Sequence, residues 1–260
     1  MKFININSLN ERFLEVHRQF NSTKPFRFAV VEQFFNPESA AQIHNAFPPI
    51  TDGTWNRTTY IDQRNKAIKE HFKADSIFKD VFAEINSDEF IQWLVRLSGI
   101  PDLQADRELF GAGLHQSISG AHLNVHIDYN IHPITKYHRR LNVLVYMNEH
   151  WLDEYNGHLE LWDLTTPEKK IIGKFAPTFN RCIIFETNEV SYHGHPKPLN
   201  IPQTLSRKSL AAYYYTKDRP INEIAKEHNT SFVNTEGIYG QIRRFRSGLV
   251  ALIERVENLL

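Results

Sequence analysis

The sequence predicts an α+β protein with a mainly β core, and three observations carry that expectation. Between residues 109 and 216, short runs rich in Val, Ile, Leu, Tyr and Phe alternate with Gly, Pro and Asn, at the strand density of a sandwich or barrel. Before this stretch, apolar residues recur mainly at helical spacing around a few short strands, and after it residues 241–260 return to a helical stripe. No repeat, low-complexity tract or Gly/Ser linker divides the 260 residues. They are expected to form one domain: helical and strand N-terminal support over 1–108, the β core over 109–216 and a helical extension over 217–260.

Each element has its own signal. Residues 28–35 hold Val30, Val31, Phe34 and Phe35, an apolar run that stops at Asn36-Pro37-Glu38. That triplet predicts a helix start. Asn36 is a capping residue, Pro37 lacks an N–H that the first turn leaves unbonded anyway, and Glu38 is an early acid. The helix should run to about Phe47, before Pro48-Pro49. Phe90, Trp93, Leu94 and Leu97 recur at i, i+3, i+4 and i+7, behind Ser87 or Asp88 as cap and ahead of Gly99-Ile100-Pro101 as stop, which predicts a helix with a buried face. Strands are expected at 109–117, 123–128, 141–147, 158–162, 181–186 and 209–215. Ile242, Phe245, Leu249, Leu252, Ile253 and Val256 predict a C-terminal helix packed on the outside of the sheet rather than an oligomer seam, because a sheet in a single chain needs helices to cover it.

Composition excludes several classes of function. Thirty basic side chains balance thirty acidic ones, for a formal net charge of +0. No general field therefore draws in a nucleic-acid backbone or an anionic membrane, and neither is an expected partner. There is no 18-residue apolar run, and the charged first twenty residues lack the apolar stretch of a secretory signal. Cys182 is the single cysteine, which excludes an intramolecular disulfide and a cysteine-cluster zinc site; within Cys-Ile-Ile-Phe it reads as a buried hydrophobe. A cytoplasmic location is the expectation. Neither G-x-x-x-x-G-K-[ST] nor H-E-x-x-H occurs.

Histidine is the informative residue. His115, His122, His126, His132, His138, His150, His158, His193 and His195 all fall in the β-rich part. Most of them should be structural, so geometry must select. In Leu-Asn-Val-His-Ile-Asp, strand alternation puts His126 and Asp128 on one face, roughly 7 Å apart at Cα, where both can reach one ion. An imidazole and a carboxylate suit a divalent first-row metal, and one more imidazole completes a facial triad with half an octahedron open. Farther on, His193 follows a strand and a polar turn, and Arg207 opens the strand Arg-Lys-Ser-Leu-Ala-Ala-Tyr-Tyr-Tyr. Arg207 and Ser209 share a face there. A guanidinium beside a hydroxyl is a receptor for a small carboxylate.

Taken in order, H-x-D, then Arg140, Asn142 and Tyr146 as R-x-N-x-x-x-Y, a Gly turn into Leu-Glu-Leu-Trp at 159–162, Phe-Asn-Arg-x-x-x-Phe, His193, Arg207 and Ser209 resemble the non-haem Fe(II), 2-oxoglutarate-dependent oxygenases, in particular their prolyl-hydroxylase-like branch. The resemblance covers about residues 109–216, with Val-Val-Glu-Gln-Phe-Phe-Asn-Pro-Glu near the N-terminus similar to the family's entry segment. It implies a double-stranded β-helix, a cupin-like jelly-roll barrel. It implies His126, Asp128 and His193 as Fe(II) ligands, and Arg207 with Ser209 on the distal carboxylate of 2-oxoglutarate. Asn142 and Tyr146 would line the same pocket, with His115 on an earlier strand. His193-Gly194-His195-Pro196 offers two third ligands on one face; the family pattern favours His193 and leaves His195 at the rim.

The implied co-substrates are 2-oxoglutarate and O2, with ascorbate as an auxiliary, and the implied reaction is hydroxylation of an unactivated C–H with release of succinate and CO2. Related halogenases lack the carboxylate that Asp128 supplies, so hydroxylation is expected. The substrate is expected to be prolyl, peptide or amino-acid-like, with a sugar or other small metabolite as the alternative. Arg57, Tyr60 and Arg64 mark a polar segment suited to a lid, and Tyr129-Asn130 follow the H-x-D pair directly. Two departures from the family stand out: His158 where many relatives have a second Gly, and a longer His193–Arg207 interval containing Pro196, Pro198 and Pro202. The competing readings are a zinc or manganese isomerase or hydrolase on the same ligands, and a non-catalytic metal-binding barrel. The second gives no chemical reason to keep His126, Asp128, His193 and Arg207 together.

Overall fold

The computed structural model describes residues 1–235 and Gly237, so the expected helix at 241–260 lies outside the described residues. The N-terminal part holds α1 (Ile6–Glu11), α2 (Phe13–Ser22), β1 (Phe28–Val31), α3 (Pro37–Asn45), β2 (Asn56–Tyr60), β3 (Gln63–Lys69), α4 (Ile77–Ile85), α5 (Asp88–Ser98) and β4 (Gln104–Ala105). The core continues with β5 (Gly113–Ile127), β6 (His138–Tyr146), β7 (Leu159–Asp163), β8 (Lys170–Phe175), β9 (Arg181–Glu186), β10 (Tyr192–His195) and β11 (Arg207–Thr216), and the short β12 (Ser231–Phe232) follows.

The helices form where their signals predict them. Ser87 caps α5 by accepting from the Phe90 N–H, and Gly99 ends it with φ +68°. Phe90, Trp93, Leu94 and Leu97 are buried, each contributing roughly 1.5–3 kcal/mol of burial. Asn36 stands at the start of α3, but its amide is used elsewhere: Nδ2 donates to the Lys2 carbonyl at 2.9 Å, tying the N-terminal segment to the helix.

All named strand pairs are antiparallel, in the order β1-β9-β6-β11-β5-β10-β7-β8, and the sheet curls into the jelly-roll form. The turn of the curl is β5. Its first part pairs with β11 from Gly113 to Ser117, and its last part pairs with β10 through Leu123 and His126. Two strands are expected from the sequence here, but the chain forms one. Gly120, at φ +77°, lets the backbone bend without leaving the ladder. The hairpin β2–β3, legible in the sequence only as a polar segment, pairs along β5 on both sides of this bend, with Lys66 opposite Ser117 and Gln63 opposite Leu123.

A continuous core joins the two parts. Phe3, Phe20, Phe34 and Ile43 pack in the same cluster as Trp93, Leu141, Val143, Ile184 and Tyr214. Among the described glycines the tightest approach to backbone is at Gly113, where an added Cβ would lie 2.3 Å from the Lys69 carbonyl oxygen at φ +85°. Gly113→Ala is therefore expected to destabilise the protein by about 2–4 kcal/mol in urea unfolding. Gly53→Ala, with nothing within 4 Å of the new Cβ, should change stability by less than about 0.5 kcal/mol.

Candidate active site

Register brings the site together. His126, near the end of β5, is the antiparallel partner of His193 on β10, and paired residues project to one face. The imidazole centroids are 4.4 Å apart. Asp128 follows directly, with Oδ1 3.7 Å from His126 Nε2 and Oδ2 3.5 Å from His193 Nε2. The candidate ligand atoms of the three residues lie within 4.8 Å of one another. His195 pairs instead with Leu123 past a register shift and is not part of this cluster.

Both rings are oriented by the backbone. His126 Nδ1 meets the Asn124 carbonyl at 2.8 Å and His193 Nδ1 meets the Ser191 carbonyl at 2.9 Å, so the proton belongs on Nδ1 and each Nε2 lone pair faces Asp128. Phe232 lies 5.2 Å from the His126 ring and Phe185 4.7 Å from the His193 ring, which keeps water from the outer faces. Burial, with His126 adding to it, pushes His193 down to about 4, so it is neutral at pH 7. Burial alone would raise Asp128, but the Arg139 guanidinium and the two imidazoles hold its carboxyl well below the usual range. Two imidazole nitrogens and one carboxylate are the donor set of a divalent first-row metal, and an ion among them would take up the lone pairs that face one another there.

Arg139 was not legible as a site residue. Counting by twos from Asn142 places Arg140 on the inner face. Between Tyr214 and Tyr215, however, the β6–β11 register shifts: Tyr214 faces Leu141 and Tyr215 faces Arg139. The extra residue in β6 is Arg140, and the bulge hands its inner place to Arg139. Arg139 Nη2 lies 3.1 Å from Asp128 Oδ2, its Nε donates to Asn142 Oδ1 at 2.9 Å, and its guanidinium stacks 3.5 Å from the Tyr213 ring centroid. Asn142 Nδ2 in turn donates to Asp128 Oδ2 at 2.8 Å. Arg140 turns outward to Thr216 and Glu223.

Asp128, His126 and His193 share a cavity of about 80 Å³ with the other residues expected from the sequence: His115, Asn142, Tyr146, Arg207 and Ser209. Arg207 is 7% exposed; its Nε donates to the Gly157 carbonyl at 2.8 Å and its Nη2 to the Tyr146 hydroxyl at 3.2 Å. No carboxylate pairs with it among the described residues, so a buried guanidinium stands ready for an anion. Burial raises the Tyr146 hydroxyl above its ordinary value, keeping its proton at neutral pH. Burial and the nearby Lys66 charge push His115 well below its ordinary value, and its Nε2 meets the Gly111 carbonyl at 3.0 Å.

The two departures from the family pattern leave this cavity intact. His158 turns to Asp153, 2.8 Å away, and does not line it. The long interval before Arg207 is pinned by Leu199, whose N–H donates to the Ala121 carbonyl at 2.8 Å and whose side chain packs near Trp151. Arg57, Arg64, Tyr129 and Asn130 do not line the cavity. Arg57 bonds the Ile50 carbonyl, Tyr129 the Tyr215 hydroxyl at 2.8 Å, and Asn130 the Lys226 carbonyl at 2.9 Å; Tyr60 ends β2 opposite Gln63. From that hairpin Lys66 lines the cavity instead. Cys182 is fully buried, as its apolar run predicts, and burial pushes its thiol well up.

Among the described residues no helix is long and apolar enough to cross a membrane. No curated protein matches the chain. Among solved structures, a prolyl-4-hydroxylase from Pseudomonas putida is similar at 14% identity and TM-score 0.54, covering 77% of this chain and 98% of its own. A prolyl hydroxylase from Trichoplax adhaerens, solved with a hypoxia inducible factor peptide fragment, matches at 18% identity and TM-score 0.58, over 81% of this chain and 92% of its own. HygX from Streptomyces hygroscopicus, solved with nickel, 2-oxoglutarate and hygromycin B, matches at 12% identity and TM-score 0.52, over 84% and 96%. At these identities the likeness is one of fold. The family model described as the 2OG-Fe(II) oxygenase superfamily matches residues 112–215. That segment runs from the start of β5 to the end of β11 and holds every residue that lines the cavity except Lys66, so the part of the chain that carries the candidate site is similar to the 2OG-Fe(II) oxygenase superfamily, on a fold like that of the prolyl hydroxylases.

Proposed function

We propose that this protein is a 2-oxoglutarate-dependent oxygenase that hydroxylates a prolyl, peptide or amino-acid-like substrate. His126, Asp128 and His193 would hold Fe(II), and Arg207, with Ser209 and Tyr146, the distal carboxylate of 2-oxoglutarate. The observation that carries the reading is the convergence of two Nε2 atoms and one carboxylate within 4.8 Å in a cavity that also holds an unpaired, buried guanidinium. When bound, iron with 2-oxoglutarate and O2 supplies oxidative decarboxylation to succinate and CO2, coupled to hydroxylation of a C–H bond.

The chain's own residues position that chemistry. Asn142 and Arg139 engage Asp128 Oδ2 and leave Oδ1 facing His126. The Asn124 and Ser191 carbonyls keep both imidazoles in the ligating tautomer, and Phe185 and Phe232 shield them from water. His115 forms part of the cavity wall. The carboxylate of Asp128 favours hydroxylation over halogenation, since a halide would need its place. One domain is the reading for residues 1–260: the N-terminal helices of 1–108 share their core with the strands of 109–216, and among the described residues after 216 the short β12 pairs with β5.

Two measurements test this reading. With Fe(II), 2-oxoglutarate and O2, proline-containing peptides or free amino acids should raise succinate formation in step with a hydroxylated product; coupling by a sugar alone would overturn the substrate class. Arg207→Ala should weaken 2-oxoglutarate by roughly 10–100-fold while Fe(II) affinity is retained, read in anaerobic titrations of the visible chelate band.

A further inference from the structure

Lys66 is a cation inside the cavity to which the ligand set and the Arg207 contacts give no role. It stands on β3, is half-buried, and lines the cavity with Ser117, His115 and Arg207. Its position follows from register. Lys66 is the antiparallel partner of Ser117 from one side of β5, and Arg207 is the partner of the same Ser117 from the other side. Directly paired residues project to one face. Lys66, Ser117 and Arg207 therefore form a row across three strands, an ammonium and a guanidinium flanking a hydroxyl, with the outer Cα atoms about 10 Å apart at ordinary strand spacing. Two long side chains starting at that separation can converge on one small anion above Ser117.

Charge points the same way. The carboxylate whose field reaches Lys66 is Asp128, which is already paired with Arg139. Burial, opposed by Asp128 and reinforced by Arg207 and Arg139, pulls the Lys66 ammonium down to about 8. An anion placed between Lys66 and Arg207 would relieve that repulsion and satisfy both donors.

We propose that Lys66 is a second anion-binding residue for 2-oxoglutarate, clamping its distal carboxylate together with Ser117 and Arg207, so that the β2–β3 hairpin holds the co-substrate as well as the jelly-roll core. The assignment rests on the oxygenase reading. Arg207 supplies a fork from β11, and Lys66 supplies a point charge from the opposite side of β5. A keto acid without the distal carboxylate gains nothing from either cation.

The test is an anaerobic titration of Fe(II)-loaded protein with 2-oxoglutarate and with 2-oxovalerate, which keeps the chelating 2-oxo acid end and lacks the distal carboxylate. The visible chelate band gives both affinities, and metal content and thermal melting are checked for each variant. Lys66→Met should weaken 2-oxoglutarate about tenfold and leave 2-oxovalerate within about twofold, whereas Lys66→Arg should keep most of the preference. Unchanged 2-oxoglutarate affinity in Lys66→Met, or an equal loss for both keto acids, would overturn the proposal. If Arg207→Met loses the preference while Lys66→Met does not, this proposal alone fails; if the wild-type protein shows no band with either acid, the oxygenase reading fails with it.

Discussion

Asp128→Ala is expected to abolish the Fe(II)–2-oxoglutarate absorbance and succinate formation, with metal affinity reduced by more than about a hundredfold. Loss of a group that merely orients a ligand already costs 10–100-fold, and here the ligand itself is removed. The same result is expected for His193→Ala, whose Nε2 faces Asp128 at 3.5 Å and whose ring is neutral at pH 7. His195→Ala should retain the band, because His195 is the partner of Leu123 and stands outside the cluster. Full turnover by Asp128→Ala, or loss of the band in His195→Ala with His193→Ala unaffected, would contradict the ligand set. Thermal melts separate metal loss from misfolding.

The second large effect is expected at Arg139. Replacing it by Met keeps much of the stem packed against Tyr213 and deletes the charge that faces Asp128 at 3.1 Å. A buried carboxylate is then left without its counter-charge, and Asn142 loses the donor to its Oδ1. Breaking a buried pair in this way costs about 3–5 kcal/mol, so Arg139→Met should unfold at markedly lower urea and bind Fe(II) roughly 10–100-fold more weakly. Arg140→Met is the control: its partner Glu223 is 38% exposed, so less than about 1 kcal/mol of the ion pair is at stake. Equal stability of the two variants would show that Arg139 does not support Asp128.

Arg139 also shows where reading the sequence stops. Alternation by twos correctly puts Asn142, Leu144 and Tyr146 on one face, and all three line the cavity. Extended by one more step it selects Arg140, because a bulge is a mismatch between two strands and leaves no mark in the local pattern of either. Lys66 escaped for a similar reason. Residues 56–69 carry polar side chains with little alternation, so their pairing with β5 depends on contacts made elsewhere in the chain. Phe185 and Phe232 read as ordinary apolar residues until the fold sets them against the two imidazoles.

Local order along the chain determined the β-rich core, the α5 helix with its Ser87 cap, the shared face of His126 and Asp128, and the pairing of Arg207 with Ser209 on one strand. These follow from periodicities of two and 3.6 residues, which any short window displays. Only the tertiary structure decided that His193 rather than His195 joins Asp128, that Arg139 rather than Arg140 turns inward, and that Lys66 meets Arg207 across Ser117. Each of those choices is a register between strands distant in sequence, set by which side chains the whole core can bury together.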